Sequence, residues 1–463
     1  MGDQRNDFPG QTDKPSLHAH VISRGASTMW ALMEAVPGLE HMQAERTALD
    51  QALERGLFKP REEEVLFNWF ARLLTIRAAL LETIEELQDS LDGSPNHMCE
   101  PDEWRVFLLG YSAACLLLRI DRLLVEDVAT HTLVQRKLNE GEPVRRIPRK
   151  QYTRVFKSLA DTGNAWRLYQ VMRFARKNEE KLDAMAADPN VGFLAEARVH
   201  LEIMLDPSKS NFLKRFLQYR EHSLRRRGAS ALQQSSFALL EMGGRTVSEV
   251  RLNRTNKKVT PAIRAQLAHI LEPGDVLVTR HEYAFTNLFL PGFWPHAALY
   301  IGSEQERHKL GITADPDLAA RWGGPIRVLE ALKDGVRFRP LEETLAVDVA
   351  AVIRPMLSRE ELAQALARVL VHEGKGYNFD FDFFRTDRLV CTEVVYQAYE
   401  GIGQMNIPLS KRGGRPTLAA QDLLDLALEG RMFRPVAVFG VPGAERLVTG
   451  EHAGELIRRS YRE

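Results

Sequence analysis

The amino-acid sequence predicts an α+β protein: an all-helical N-terminal part, then a part in which helices group around a small antiparallel sheet. Three observations carry this. Apolar residues recur at spacings of three and four through most of residues 20–245, as on one face of α-helices. After Gly243-Gly244 the pattern changes to short apolar runs bounded by turn residues, as in strands. At 463 residues the chain is also longer than one hydrophobic core ordinarily serves, so two domains are expected.

In chain order, residues 1–19 open with a polar segment rich in Gly, Asp and Pro that has little to bury, and disorder is expected there. This start lacks the basic-then-apolar layout of a secretory signal, and Asn6 breaks the myristoylation pattern. From residue 20 to 245 a helical domain is expected. Leu66, Phe67, Phe70, Leu73, Leu74, Leu80, Leu81 and Ile84 mark one broad apolar helix face. The stretch Tyr111–Leu124 is apolar on more faces and belongs at the centre of a bundle. Further helices are expected over about 149–161, 164–186, 190–205 and 209–227, separated by breakers such as Asp161-Thr162-Gly163, Asp188-Pro189 and Asp206-Pro207. The longest apolar run, Val106–Leu118, is too short to cross a bilayer.

Residues 246–264 are expected to link this domain to a second one over 265–445, with 446–463 as a tail. Strands are expected at Val276–Val278, Ala297–Ile301, Ile326–Leu329, Val336–Phe338, Val349–Ile353 and Val436–Phe439. Lys333-Asp334-Gly335 between two of these runs is a hairpin signal. Ser358-Arg359-Glu360-Glu361 has capping-box spacing before a helical pattern, and Thr417–Leu428 reads as another helix.

Composition excludes several function classes. Lys plus Arg equals Asp plus Glu at 62 each, so no global field points to nucleic acid or anionic lipid. The basic clusters Arg145-Arg146 to Arg149-Lys150 and Arg225-Arg226-Arg227 read as solvated helix ends; no nucleic-acid partner is expected, and peripheral membrane contact stays open. Three cysteines, Cys99, Cys115 and Cys391, are too few for a disulfide framework and fit a reducing, cytoplasmic setting. There is no Cys-x-x-Cys, no His-Glu-x-x-His and no phosphate-cradling loop, so no metal and no cofactor is expected.

The chemistry centres on Arg388-Leu389-Val390-Cys391-Thr392-Glu393, a lone cysteine that follows a short apolar run and opens an amphipathic helix. Helix starts favour negative charge and so favour thiolates. Upstream, His296 opens the strand-like run His296-Ala297-Ala298-Leu299-Tyr300. A thiol and an imidazole make a nucleophile and its proton carrier. His281 and His308 lie in looser, polar contexts. Glu330, a carboxylate inside the apolar run Val328–Leu332, either orients the imidazole or faces solvent. Glu393, in the first helical turn, complements the helix dipole. Asp275 reads as a turn-former.

Four blocks in this order resemble the permuted papain-like amidases of the YiiX/YebB type, relatives of the NlpC-type peptidases. They are LEPGDVLVTR at 271–280, PGFWPHAALYIG at 291–302, RVLEALKDGV at 327–336 and GYNFDFDFFRTDRLVCTEVVYQAY at 376–399. The resemblance covers roughly residues 265–445 and implies a circularly permuted papain-like domain with a small antiparallel sheet. It implies Cys391 as nucleophile, His296 as base and Glu330 as the orienting residue of an enzyme that cleaves an amide or ester bond through an acyl-thioester. Tyr377, Asp380 and Asp382 on one cleft wall, with Trp294, are the implied substrate-binding residues for a small peptide, amide or acyl-lipid substrate. A distant group with the same permuted order, the lecithin:retinol acyltransferases, moves fatty acyl chains. That makes a lipid-directed acyltransferase or lipase, with a slot formed by Phe285, Leu288, Phe289, Leu290 and Phe293, a second expectation. A non-catalytic binding module that keeps only the fold is a third.

Overall fold

The computed structural model describes residues 17–90, 100–142, 145, 147–204, 257–281, 293–312, 316–379, 383, 387–412 and 415–462. Among the described residues the N-terminal region is built of helices: α1 Leu17–Glu40, α2 Gln43–Arg55, α3 Pro60–Asp89, α4 Pro101–Arg122, α5 Thr132–Glu140, α6 Gln151–Leu159, α7 Thr162–Lys177, α8 Glu179–Ala184 and α9 Gly192–Met204, with one isolated bridge between Glu142 and Ile147. Two helix starts follow directly from sequence. Pro60 and Pro101 occupy the first turns of α3 and α4, where a missing N–H costs nothing. Glu62 and Glu103 then reach back to the backbone N–H groups of Lys59 and Glu100, at 2.9 and 3.0 Å. α4 packs on α1, α3 and α9 and buries residues around most of its circumference, as its apolar composition requires.

Two helical expectations are corrected. The stretch 164–186 is not one helix, because Asn178 interrupts it: its side-chain amide donates to Phe174 O at 2.9 Å and competes with the backbone ladder. Asp161-Thr162-Gly163 is a helix start, in which the Asp161 carboxylate caps Asn164 N at 2.8 Å. The expected helix at 209–227 lies outside the described residues.

The C-terminal region is built on a seven-stranded antiparallel sheet of order β11-β10-β5-β1-β2-β3-β4. Its strands are β1 Val276–Arg280, β2 His296–Tyr300, β3 Ile326–Leu332, β4 Gly335–Pro340, β5 Val349–Pro355, β10 Phe433–Phe439 and β11 Val448–Thr449. Two small pairs accompany it: β6 Gly376–Tyr377 with β7 Arg388–Leu389, in parallel, and β8 Ser410–Arg412 with β9 Arg415–Thr417. Alternation along the central strands serves two cores. Val276, Val278, Ala297, Leu299, Ala351 and Ile353 face the core under the helix Cys391–Tyr399, which packs on β2 and β3. Leu277, Ala298, Tyr300, Ala350 and Val352 face a second core that includes Leu267 from the helix Pro261–Ile270. Burial on both faces is why these strands read as continuous apolar runs. Gly335, at φ +95°, closes the β3–β4 hairpin with its α-carbon against the Lys375 carbonyl, where a side chain has no room.

All six expected strands are present, and the α+β class is borne out. The helix Pro261–Ile270, capped by Thr260, begins inside the expected linker. The expected tail is instead integral: the helix Glu451–Arg459 packs on β10, with Leu456 and Ile457 buried. Its short amphipathic pattern is complete only against the sheet edge.

The two regions meet through α1 and α3. Lys333 Nζ, at the hairpin tip, lies 3.0 Å from Glu86 and 3.6 Å from Glu82. Arg337 donates to Ser27 Oγ at 2.8 Å, and Arg388 pairs with Glu34 at 2.5 Å. Phe379, 1% exposed, packs into the helical core, and Tyr377 touches the cores of both regions. A Lys333→Glu substitution sets a third carboxylate beside Glu82, which is largely shielded, and Glu86, whose side chain is 39% exposed. It is expected to destabilise the protein by roughly 1–2 kcal/mol, less than the cost of breaking a fully buried pair because water screens Glu86. Thermal melting checks this, with Glu86→Lys in the same chain expected to recover part of the loss.

Candidate active site

The site is assembled where β2, β3 and the helix Cys391–Tyr399 converge. β2 places His296 at its first residue, opposite Thr279 of β1. On its other side Leu299 lies opposite Leu329 and Tyr300 opposite Val328, which brings Glu330 diagonally to His296 on one face of the sheet. The result is a short hydrogen bond, His296 Nε2 to Glu330 Oε2 at 2.7 Å. That bond fixes the ring and leaves Nδ1 as the ring nitrogen not bound to Glu330.

Cys391 is the first residue of its helix, behind an extended Val390. Glu393 sets that start: its carboxylate accepts from Val390 N at 2.6 Å and from the Asn378 amide at 3.4 Å. Thr392 Oγ1 donates to Leu418 O at 2.7 Å and pins the first turn from the other side. Glu393 is 1% exposed and serves the helix start as a cap. The β6–β7 pair delivers the chain into this turn; two-residue strands are too short to leave a periodic trace in sequence.

Glu330 is 2% exposed, so the solvent-facing alternative is removed. Both of its oxygens are engaged. Oε2 takes His296, while Oε1 accepts from Thr344 Oγ1 at 2.9 Å and lies 3.2 Å from Arg339 Nε. Burial favours the neutral carboxyl, but hydrogen bonding to His296, the charges of His296 and Arg339 and the Thr344 bond together hold it below the usual carboxylate range. Arg339 and Thr344 were not found by sequence reasoning. The available signal was an arginine inside the β4 run Val336–Arg339, an expensive residue to bury without a partner.

His296 shows the opposite shift. Burial disfavours its imidazolium, yet the hydrogen bond and charge of Cys391, then those of Glu330, outweigh burial and push its pKa up to about 10. The folded value lies above the ordinary 6.5, so the stability gained from the charged ring is complete below about 6.5 and is lost as pH rises through about 10. His281 stands nearby in the neutral form, its pKa lowered to about 4 by burial, then by Lys257 and by the charge on His296. His308 is exposed on the helix Glu304–Lys309, apart from this cluster.

The structure thus brings Cys391, His296 and Glu330 together and sets Tyr377 beside them. Burial raises the Tyr377 phenol well above its ordinary pKa, and the charges of Cys391 and Glu393 add to it. Its ring meets Phe379 edge-on at 4.9 Å. Trp294 is placed differently from the substrate-binding expectation: it is 0% exposed, and its indole N–H donates to Ser460 Oγ at 3.0 Å, so it is a core residue joining the last turn to the sheet. Asp380 and Asp382 lie outside the described residues, as do Phe285, Leu288, Phe289 and Leu290. Phe293 is half-buried, with the Arg280 guanidinium 4.4 Å from its ring centre. Asp275 holds its turn as expected, accepting from Glu272 N at 2.8 Å, and pairs with Arg354 at 2.7 Å. Among the described residues no cluster of three or more His, Cys, Asp or Glu is arranged for a metal ion, and no helix is long and apolar enough to cross a membrane.

Residues 270–422 match the model of the permuted papain-like amidase enzyme family, YaeF/YiiX, C92. The match encloses Cys391, His296 and Glu330, and the resemblance read from the four blocks is borne out over these residues. No curated protein and no solved structure matches the chain significantly.

The surroundings of the two described cysteines differ in a way that alkylation reads directly. Burial, with the charge of Glu202, pushes the Cys115 thiol up to about 12. At neutral pH, iodoacetamide labelling followed by mass-spectrometric mapping is expected to modify Cys391 well before Cys115; first labelling of Cys115 contradicts the site.

Proposed function

We propose that the C-terminal region is a cysteine hydrolase that cleaves an amide or ester bond through an acyl-thioester on Cys391. The reading rests above all on one observation: the imidazole beside Cys391 is anchored through Nε2 to a buried, ionised Glu330 and favours its protonated form. The family match over residues 270–422 supports the same chemistry.

In this mechanism His296 and Cys391 form an imidazolium–thiolate pair. The sulfur attacks the substrate carbonyl, and the backbone N–H groups at the open first turn of the Cys391 helix take the developing oxyanion. Nδ1 gives its proton to the leaving amine or alkoxide as the carbonyl reforms, leaving a thioester and a neutral ring. That ring then takes a proton from an attacking water. Collapse of the second tetrahedral intermediate releases the acid and restores the ion pair. Glu330 holds the ring in one orientation throughout and favours its charged form. Tyr377 lies near enough to shape the entry to the sulfur.

Turnover of an acyl-amide and acyl-ester panel tests this. Cys391→Ala and His296→Ala are each expected to cost roughly 10³-fold or more, and the double variant is expected to be scarcely worse, because the two act as one unit. Glu330→Gln is expected to cost roughly ten- to a hundredfold. The amide can still accept from the His296 ring and donate to the Thr344 hydroxyl, but it loses the charge that favours imidazolium and pairs with Arg339. A folded Cys391→Ala variant with wild-type turnover contradicts the proposal.

A further inference from the structure

Behind Glu330 lies an ionic cluster that draws on both regions of the chain. Arg339, 3% exposed, touches three carboxylates: Glu330 through Nε at 3.2 Å, Asp334 through Nη2 at 2.5 Å and Glu343 through Nη1 at 3.2 Å. One guanidinium cannot neutralise three acids. The second cation comes from α1, where Arg24 sets Nε 3.5 Å from Asp334 and Nη1 3.2 Å from Glu343. Arg24 and Arg339 therefore share the same two acids. Each takes a different oxygen of Asp334, and both reach Oε1 of Glu343. Asp334 and Glu343 thus have a second cation only when the helical region is in place.

We infer that Arg24 is a positioning residue for the Cys391 site: by sharing Asp334 and Glu343 with Arg339, it leaves Arg339 free to hold Glu330 in place behind His296. This rests on the hydrolase reading and adds to it a task for the helical region. Without Arg24, Asp334 and Glu343 have one guanidinium between them and draw it away from Glu330. Glu330 then keeps its hydrogen bonds to Thr344 and His296 but loses the guanidinium charge beside it, and its hold on the ring as a carboxylate weakens. The other charges around the hairpin are already committed. Lys333 faces Glu82 and Glu86, and Arg337 faces Ser27 and, at 3.8 Å, Glu373. On the far side, His296 faces Cys391 and the neutral His281, beyond which Lys257 pairs with Asp348 at 3.5 Å. None of these is placed to replace Arg24.

The test uses the full chain and a probe that needs no known substrate: the rate of iodoacetamide alkylation of Cys391 from pH 5 to 10, followed by mass spectrometry. Arg24→Ala is expected to slow alkylation at neutral pH roughly three- to tenfold and to change the shape of the pH profile, the scale of coupling carried by side-chain networks. Adding Glu343→Gln removes the acid left unmatched, and the double variant is expected to recover to within about twofold of wild type. Arg24→Lys, which keeps the charge, is expected to lie between. Thermal melting separates docking from positioning. A lower melting temperature with an unchanged alkylation rate and profile overturns the inference, and so does an Arg24→Ala loss that Glu343→Gln fails to repair in a folded protein. If wild-type Cys391 is no more reactive than Cys115, the hydrolase reading itself fails; a reactive Cys391 indifferent to Arg24 leaves that reading standing and removes only the role of Arg24.

Discussion

Glu330 is the point on which the site depends. A carboxylate carried into a sheet interior loses its hydration, at an effective cost of several kcal/mol, unless donors replace the lost water. Here His296 donates to one oxygen and Thr344 to the other, and the Arg339 guanidinium adds its charge at 3.2 Å. The same bond that satisfies Glu330 fixes the imidazole beside Cys391. The buried acid thus sets the position of the ring, and with Cys391 it favours the charged form. Removing a member of this set leaves an uncompensated charge, so the array is under strong physical constraint even before any substrate is considered.

The sheet supplies the precision. Strands buried on both faces can neither slip nor rotate without exposing a whole apolar row, which locks the register that sets Glu330 diagonal to His296. The Cys391 helix is fixed by different means. Glu393 and Asn378 cap its start, and Thr392 ties the first turn to Leu418. Cys391 and His296 therefore ride on separate elements whose meeting point is defined by packing. The helical region is fastened to the same hairpin that carries Arg339, through Lys333, Arg337 and Arg24.

How legible this was in the sequence follows from the range of each signal. The strands of the central sheet and the long helices leave periodic traces, so they could be read from apolar spacing and breakers. Cys391 and His296 stood out because each opens an element, a position with consequences for charge and exposure. Glu330 was ambiguous, since alternation along β3 gives its face without saying whether that face is covered; only Thr344, from the short helix that packs on β3, and Arg339 settle it. Trp294 sits one residue from His296's neighbour Pro295 and looked like part of the cleft, yet its partner is Ser460, at the opposite end of the sequence. Arg339, Thr344 and Arg24 were invisible for the same reason: their roles exist only through long-range contacts. Asn178 was missed because an amide that competes with a helix ladder resembles any other polar surface residue.

The central claim is that Glu330 and Cys391 together hold His296 in its charged form. The most direct measurement is the ¹⁵N resonance titration of the His296 ring in the intact protein. The account predicts a doubly protonated ring throughout neutral pH, with deprotonation near 10. A ring that is already neutral at pH 7, in a folded protein with Glu330 and Cys391 intact, would contradict it.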